Sequence, residues 1–442
     1  MKILILGAAG FIGSQISHKV CNDTDNDVYL VDNYFRGSND DLFQELISRQ
    51  NCTFLNLDLS MSESFSKLDT DFDQIYFLAS VVGVGFTSTN PKKVIEINTS
   101  IIFNVLTWLE NLKSDCKILF SSTSECYAST VDFYNGSVPT PEDIGLSIKD
   151  ISNPRYTYAL TKMLGEAGII HYCNDLNKDY VIVRFHNVYG PRMGFSHVIP
   201  QVVKRFLDRE VPFKIYGYDQ TRSFNFIDDA VQGTMLAMNK KTDSHIFHLG
   251  CSNSEITIEK LVKFIGNLLD FEGDYEYENA PSGSVKRRCP DISLAKNEFN
   301  SDIIFVNADN LVQKKVVKKF LFNKQKNLVL IDKEKIYFND SDPVKINQIN
   351  GKLHKIDKNL NYKDINGVAV GLYKLSKKNF NSYIKFAEKI YNSGFQKAGF
   401  IEPLKKIIKS NNEPIKTFYP GKFKWVDIDN LDDLNRAKKL FI

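Results

Sequence analysis

The sequence predicts an α/β protein, a doubly wound parallel sheet followed by a second, smaller α/β domain. Three observations predict it. An apolar segment, Lys2-Ile3-Leu4-Ile5-Leu6, runs straight into glycines spaced three and three apart, Gly7, Gly10 and Gly13, and then into a helical pattern. Short β-rich segments alternate with longer helical patterns through residue 250. The charge balance then reverses: residues 1–300 carry 28 Lys and Arg against 38 Asp and Glu, a net of −10, whereas residues 301–442 carry 28 against 15, a net of +13. A shift this abrupt marks a domain boundary, since no Pro/Gly/Ser-rich stretch separates the halves.

The first strand and its glycines form a Rossmann-type fingerprint. Gly7 permits the tight turn, Gly10 lets the backbone approach a pyrophosphate, and Gly13 lets helix and strand pack closely. The helix opening at Phe11-Ile12-Gly13 then offers free N–H groups and a partial positive charge to an anion. With 24 glycines in 442 residues, this triple spacing arises by chance only ~0.07 times per chain. The next strand, Val28–Val31, ends at Asp32, where a carboxylate would accept hydrogen bonds from the adenosine ribose and repel a 2′-phosphate. NAD is therefore expected over NADP, with Arg36 nearby keeping NADP open. Phe54–Leu57 ends at Asp58 and Ile75–Leu78 at Ala79-Ser80, small or polar strand ends that suit a cofactor lying across the carboxyl edge of a parallel sheet.

Lys117–Ser122 is the next strand and delivers Thr123-Ser124-Glu125-Cys126-Tyr127. A helix follows that carries Tyr158 and Lys162, spaced i, i+4 and so on one face. An ammonium within reach of a phenol lowers the phenol pKa, which makes Tyr158 a candidate general base. A second Tyr-x-x-x-Lys pair, Tyr373/Lys377, has no such context and reads as surface.

The chain is 43% hydrophobic and 25% charged, as expected for a soluble enzyme with real cores. No signal peptide or membrane-length apolar run is visible, so no membrane partner is expected. The seven cysteines (Cys21, Cys52, Cys116, Cys126, Cys173, Cys251 and Cys289) show no close pairing and no metal spacing, which points to a reduced cytoplasm. Of the 28 basic residues after position 300, 27 are lysines spread along the segment. This reads as a solvated surface rather than a nucleic-acid site.

Gly7 to Gly13, Thr123, Tyr158 and Lys162 together resemble the extended short-chain dehydrogenase/reductase family, the NAD-dependent epimerase/dehydratase group that modifies nucleotide sugars. The resemblance runs from residue 1 to about 299, with a small substrate subdomain mainly over 187–299. Phe185-His186-Asn187-Val188-Tyr189-Gly190-Pro191-Arg192 resembles the segment opening the sugar-nucleotide site. Gln220-Thr221-Arg222-Ser223-Phe224 resembles the segment whose arginine contacts the diphosphate or the nucleoside, and Arg288-Cys289-Pro290-Asp291 the element closing the pocket. The resemblance implies Asn187, Arg192, Arg222 and Arg288 as substrate-binding residues, and guanidinium forks suit a pyrophosphate. It also implies a homodimer paired through the helices around Tyr158 and 91–112.

Such enzymes oxidise the sugar at C4, with Thr123 assisting Tyr158, and the resulting 4-ketone then branches. Ser124 stands where the 4,6-dehydratases carry an acid, so dehydration lacks its proton donor. Thr123-Ser124-Glu125 resembles the UDP-glucuronate decarboxylases, in which a Glu and a late Arg, here Glu125 and Arg288, assist the carboxylate chemistry. Tyr158-Ala159-Leu160-Thr161-Lys162 looks more like the epimerases, and Ala128 replaces a usual glycine. Decarboxylase leads, with 4-epimerase or a non-catalytic nucleotide-sugar-binding protein as alternatives.

After Asn297-Glu298-Phe299 the family's closing helix is absent. The pattern instead gives a strand over 302–309, a helix near 310–322, a strand at Leu328–Ile331, an apolar run at 368–375, a helix at 379–393 and a strand at Lys424–Asp429 before a last helix. This segment, 300–442, resembles the C-terminal half of sugar-phosphate nucleotidyltransferases. Asp309 and either Asp427 or Asp429 fall where those enzymes hold Mg²⁺. The glycine-rich triphosphate loop is missing, so Mg²⁺ enters only if this half is active.

Overall fold

The computed structural model describes residues 1–442 except 114, 282, 300–302, 307–309, 339–342, 394–399, 411–412, 429 and 442. The chain divides into two compact units, residues 1–299 and 300–442. In the first, seven parallel strands, β1 (Lys2–Leu6), β2 (Asp27–Asp32), β3 (Cys52–Asn56), β4 (Gln74–Phe77), β5 (Lys117–Thr123), β6 (Asp179–Phe185) and β7 (Ile246–Leu249), form one sheet in the order β7-β6-β5-β4-β1-β2-β3. The chain winds outward from β1 to β3, then returns to lay β4 on the other side of β1. That reversal parts the connections at the carboxyl ends of β1 and β4 and opens the crevice where doubly wound sheets bind ligands.

Both faces of the sheet are covered, so its strands are apolar on both sides. Alternate residues point to opposite faces. Ile3, Ile5, Val28, Leu30, Val181 and Val183 pack with Ile16 and Val20 of α1 (Phe11–Cys21) on one face; Ile227, Ala230 and Val231, which begin the helix Ile227–Asn239, join them. Leu4, Leu6, Ile75, Phe77, Ile118 and Phe120 pack on the other face with Ile101 and Val105 of α2 (Pro91–Leu109) and Ile169 of α3 (Tyr156–Asp175). Each such side chain, fully buried, contributes roughly 1.5–3 kcal/mol. α1 ends at Cys21 and β3 begins at Cys52, and the fold sets the two side by side with Cα atoms 6.7 Å apart; the closeness is invisible in spacing because an intervening strand, β2, brings the two elements together.

The remaining strands of this unit are short. Thr221–Ser223 lies between Glu255–Thr257 and Arg287–Arg288, and Phe213–Tyr216 pairs with Tyr275–Glu278. They rest on a separate core that includes Phe206, Phe213 and Val262. The Phe206 and Phe213 rings stack with centroids 3.9 Å apart.

The second unit has a six-stranded sheet of Ile303–Val306, Gly367–Leu375, Leu328–Asp332, Lys416–Phe418, Lys352–Asp357 and Lys345–Ile349. The last strand also pairs with Gly367–Leu375, which curls the sheet. Val329 and Tyr373 pack on Leu404 and Ile407, so Tyr373 is buried in the core rather than on the surface as its sequence context suggested, whereas Leu330 and Val370 pack on Val316 and Phe320. Residues 310–312 are a strand rather than the start of a helix: Asn310–Val312 pairs antiparallel with Trp425–Asp427, and the helix runs only over Lys314–Leu321. Tertiary pairing here overrides the helical pattern. The register sets Asp427 opposite Asn310; Asp309 and Asp429 lie outside the described residues. Among the described residues no group of three His, Cys, Asp or Glu side chains could hold a metal ion, and no helix is long and apolar enough to cross a membrane.

Candidate active site

The crevice is built first by backbone. Gly7 has φ +90°, and a Cβ on it would meet Ala79 N at 2.7 Å. A Cβ on Gly13 would stand 2.0 Å from the Gly7 carbonyl oxygen. The two positions admit no side chain, and the turn after β1 therefore presses against both α1 and the end of β4. Gly10 caps α1 without a side-chain hydrogen bond, which leaves the first-turn N–H groups of Phe11, Ile12 and Gly13 facing an incoming anion. Asp32 closes β2. Its Oδ2 accepts from Ala9 N at 2.9 Å and its Oδ1 from Tyr34 N at 2.8 Å. Burial pushes the Asp32 pKa up and these backbone bonds oppose it, so the carboxylate is locked to the glycine turn. Asp58 is exposed, its Oδ1 taken by Ser60 N at 2.9 Å and Ser60 Oγ at 2.7 Å. Ala79 and Ser80 follow β4, and Ser80 Oγ is buried with no hydrogen-bond partner. An aligned glycine cradle and an orphaned hydroxyl at the switch point fit a dinucleotide.

Thr123, the last residue of β5, accepts from Glu125 N at 3.3 Å and hydrogen-bonds the Tyr158 phenol. Tyr158 and Lys162 project from α3. Lys162 Nζ donates to the Ser121 carbonyl at 2.7 Å and lies 5.9 Å from the Tyr158 ring centre. Burial pushes the phenol up, Cys126 and Glu125 add to this, and the Thr123 bond opposes it. Burial also brings Lys162 down to about 8. The sequence reading has Lys162 lowering the phenol and a nicotinamide ring pushing the same way; here Lys162 donates to a strand carbonyl, and burial is the largest influence on the phenol.

The arginines converge from three places. Arg222 and Arg288 are register partners on adjacent strands, a like-charged pairing that needs a counter-ion. Glu125 supplies it. Its Oε1 lies 3.0 Å from Arg288 Nη2 and 3.4 Å from Arg155 Nη2. Burial by itself would raise the Glu125 pKa, but Arg288, Arg155 and Arg222 overcome it and hold the carboxyl at about 2. Arg222 donates to Thr221 O at 2.7 Å and Gln220 Oε1 at 3.0 Å. Burial and its two arginine neighbours bring it down to about 9. Asp132 stands nearby, accepting from Lys286 N at 3.2 Å, and burial pushes it toward its neutral form.

Two of the expected substrate residues take other places. Asn187, with φ +35°, spends its amide on Ser223 O at 2.9 Å and so braces the strand that carries Arg222. Arg192 pairs through Nε with Asp40 at 2.8 Å and donates to Ser38 O at 3.1 Å, rather than joining the Glu125 cluster. Arg155 was not singled out in the sequence, although it stands three residues before Tyr158. Behind α3, Arg184 forks onto Glu166 at 2.9 and 2.7 Å, and the Ser122 hydroxyl joins the same carboxylate.

A doubly wound sheet, a glycine cradle at its switch point and a Thr–Tyr–Lys constellation beside three clustered arginines mark a dinucleotide-binding α/β protein. The family model for the NAD dependent epimerase/dehydratase family matches residues 3–250, and the chain belongs to that family. It is 31% identical over 310 residues to the UDP-N-acetyl-alpha-D-glucosaminuronate decarboxylase of Bacillus cytotoxicus, covering 67% of this chain and 90% of that protein. It is 30% identical over 299 residues to UDP-glucuronic acid decarboxylase 5 of Arabidopsis thaliana, covering 67% and 83% respectively. Among solved structures, the UDP-glucose 4-epimerase of Thermotoga maritima with UDP-glucose superposes with a TM-score of 0.58 at 24% identity, covering 68% of this chain and 92% of that one. A variant of the UDP-glucuronic acid 4-epimerase of Bacillus cereus, in complex with UDP-4-deoxy-4-fluoro-glucuronic acid and NAD, gives 0.56 at 25% identity, covering 68% and 93%.

Proposed function

We propose that the first unit is an NAD-dependent enzyme that oxidises a nucleotide-diphosphate sugar at C4 and decarboxylates it, with UDP-glucuronate as the best-supported substrate. The observation that carries this reading is Glu125, an ionised carboxylate buried between Arg288 and Arg155 next to the Thr123–Tyr158 pair. Gly7, Gly10, Phe11, Ile12 and Gly13 would hold the pyrophosphate of NAD, Asp32 its ribose, and Asp58, Ala79 and Ser80 the rim of its site. When bound, NAD supplies a hydride acceptor and a positive ring charge. Tyr158, as its phenolate, would take the proton of the C4 hydroxyl at Oη, with Thr123 Oγ1 orienting that oxygen; the positive ring charge of bound NAD would offset the burial that raises this phenol. Lys162, fixed on Ser121 O, keeps a cation one helical turn away. Once C4 is a ketone, a carboxylate on C6 is a β-keto acid that loses carbon dioxide readily. Arg222 and Arg288 hold the anionic parts of the substrate, and Glu125 orders Arg288. Ser124 offers no carboxylic acid for dehydration.

The test is incubation with NAD and UDP-glucuronate, read by NMR and mass spectrometry. Loss of carbon dioxide supports the decarboxylase, and a product of unchanged mass with inverted C4 moves the assignment to 4-epimerase. NAD binding without turnover of any sugar supports a binding protein.

For the second unit we propose a nucleotidyltransferase-like half-domain. The pairing of Asn310 with Asp427 supports it by bringing its second and last strands together. Asp427 by itself does not make a Mg²⁺ site, and no step is assigned to the ion. We also propose a cytoplasmic homodimer paired through α2 and α3, which expose Ile95, Phe103 and Leu164.

A further inference from the structure

We propose that Arg155 is a specificity-determining residue that binds the sugar carboxylate, selecting a nucleotide sugar acidic at C6 over its uncharged counterpart. The inference rests on the reading of the site as one for a nucleotide-diphosphate uronate. Arg155 has helical backbone angles, φ −56° and ψ −35°, so Arg155, Tyr158 and Lys162 follow the i, i+3, i+7 stripe of one helix face. Its side chain is only 13% exposed. It reaches Glu125 through Nη2 at 3.4 Å, the longer of that carboxylate's two arginine contacts. Its Nε is buried with no hydrogen-bond partner.

The charge count points the same way. Three guanidiniums, Arg155, Arg222 and Arg288, face two carboxylates, Glu125 and Asp132. Buried charge without a counter-charge is costly, and one more carboxylate would reduce the excess. Geometry says which carboxylate. With the C4 hydroxyl at Tyr158, C6 is two carbons further along the sugar, and Arg155 lies just under one turn of α3 away, about 4.5 Å along the axis. Arg222 is already committed to Thr221 O and Gln220; Arg288 Nη2, 3.0 Å from Glu125, also lacks a hydrogen-bond partner, but it sits on the strand beside Arg222 rather than on the Tyr158 face of α3. Arg155 keeps an unspent donor, and its planar fork can take a carboxylate while still touching Glu125.

The experiment titrates UDP-glucuronate, UDP-glucose and UDP calorimetrically into the NAD-loaded full chain, as wild type, Arg155→Gln and Arg155→Lys, with turnover of UDP-glucuronate measured in parallel. Arg155→Gln is expected to weaken UDP-glucuronate about 10- to 100-fold while UDP-glucose and UDP change less than about twofold. Arg155→Lys, which keeps the charge and loses the fork, recovers part of the preference. Equal losses for all three ligands, or none for UDP-glucuronate in a wild-type background that turns it over, overturn the assignment of Arg155 alone. A wild type that neither binds nor converts UDP-glucuronate overturns the uronate reading and this inference with it. Should Arg155→Gln fail to fold, the lysine variant decides, because loss of fork geometry must still cost the acidic sugar more than the neutral one.

Discussion

Arg288 Nη2 stands 3.0 Å from Glu125 Oε1, and this ion pair ties the region just past β5 to the strand Arg287–Arg288. Arg288 is also the register partner of Arg222. Two guanidiniums on neighbouring strands repel one another unless an anion sits between them. Glu125 therefore organises the pocket and sets its charge at once.

Stability should depend on pH through Glu125. Its folded pKa, about 2, lies below its ordinary 4.5. A depressed carboxylate contributes stability that is present above 4.5 and lost as pH falls through 4.5 toward 2. The advantage of wild type over Glu125→Gln should shrink by roughly 3 kcal/mol across that window. Urea unfolding at successively lower pH measures it, and a constant gap between the two proteins contradicts the assignment.

In the proposed mechanism, Tyr158→Phe removes the group that accepts the proton of the C4 hydroxyl. Turnover should fall by about 10²–10⁴-fold, with NAD affinity and thermal stability retained. A variant with near-normal turnover in the NMR assay would remove Tyr158 from the mechanism.

Gly13→Ala places a Cβ 2.0 Å from the Gly7 carbonyl oxygen, a backbone atom that cannot swing aside. We expect a loss of about 1–3 kcal/mol together with weakened NAD binding. Gly85→Ala is the control, because a Cβ there meets nothing within 4 Å; in a helix it should be neutral or stabilising by up to about 1 kcal/mol. Thermal unfolding and cofactor titration read both, and equal behaviour of the two variants refutes the packing argument.

Arg184 and Glu166, each 4% exposed, form the buried fork behind α3. Arg184→Met leaves Glu166 an uncompensated buried charge and should cost about 3–5 kcal/mol, whereas Arg184→Met combined with Glu166→Leu should cost much less. A double-mutant cycle by urea unfolding gives the comparison; additive losses would mean that the pair does not act as a unit.

Much of the molecule is legible in the sequence, and the reason is contiguity. The glycine turn, the acid closing β2, the hydroxyl closing β5 and the Tyr158/Lys162 pair are each spelled out within a few residues, so strand and helix periodicity suffices to place them. The helix read over 310–322 shows the limit, since residues 310–312 become a strand only because Trp425–Asp427 lies alongside.

What the sequence by itself determined is the doubly wound sheet and the residues at its carboxyl edge, because those follow from local backbone preference and alternation of apolar side chains. Only the tertiary structure decided which charges meet. It set Arg155 and Arg288 on Glu125, sent Arg192 to Asp40, turned Asn187 onto Ser223, laid Cys21 beside Cys52, and placed the Tyr158 phenol where burial raises it. Partners and desolvation belong to groups distant in the chain, and no spacing rule carries information about distances that folding alone creates.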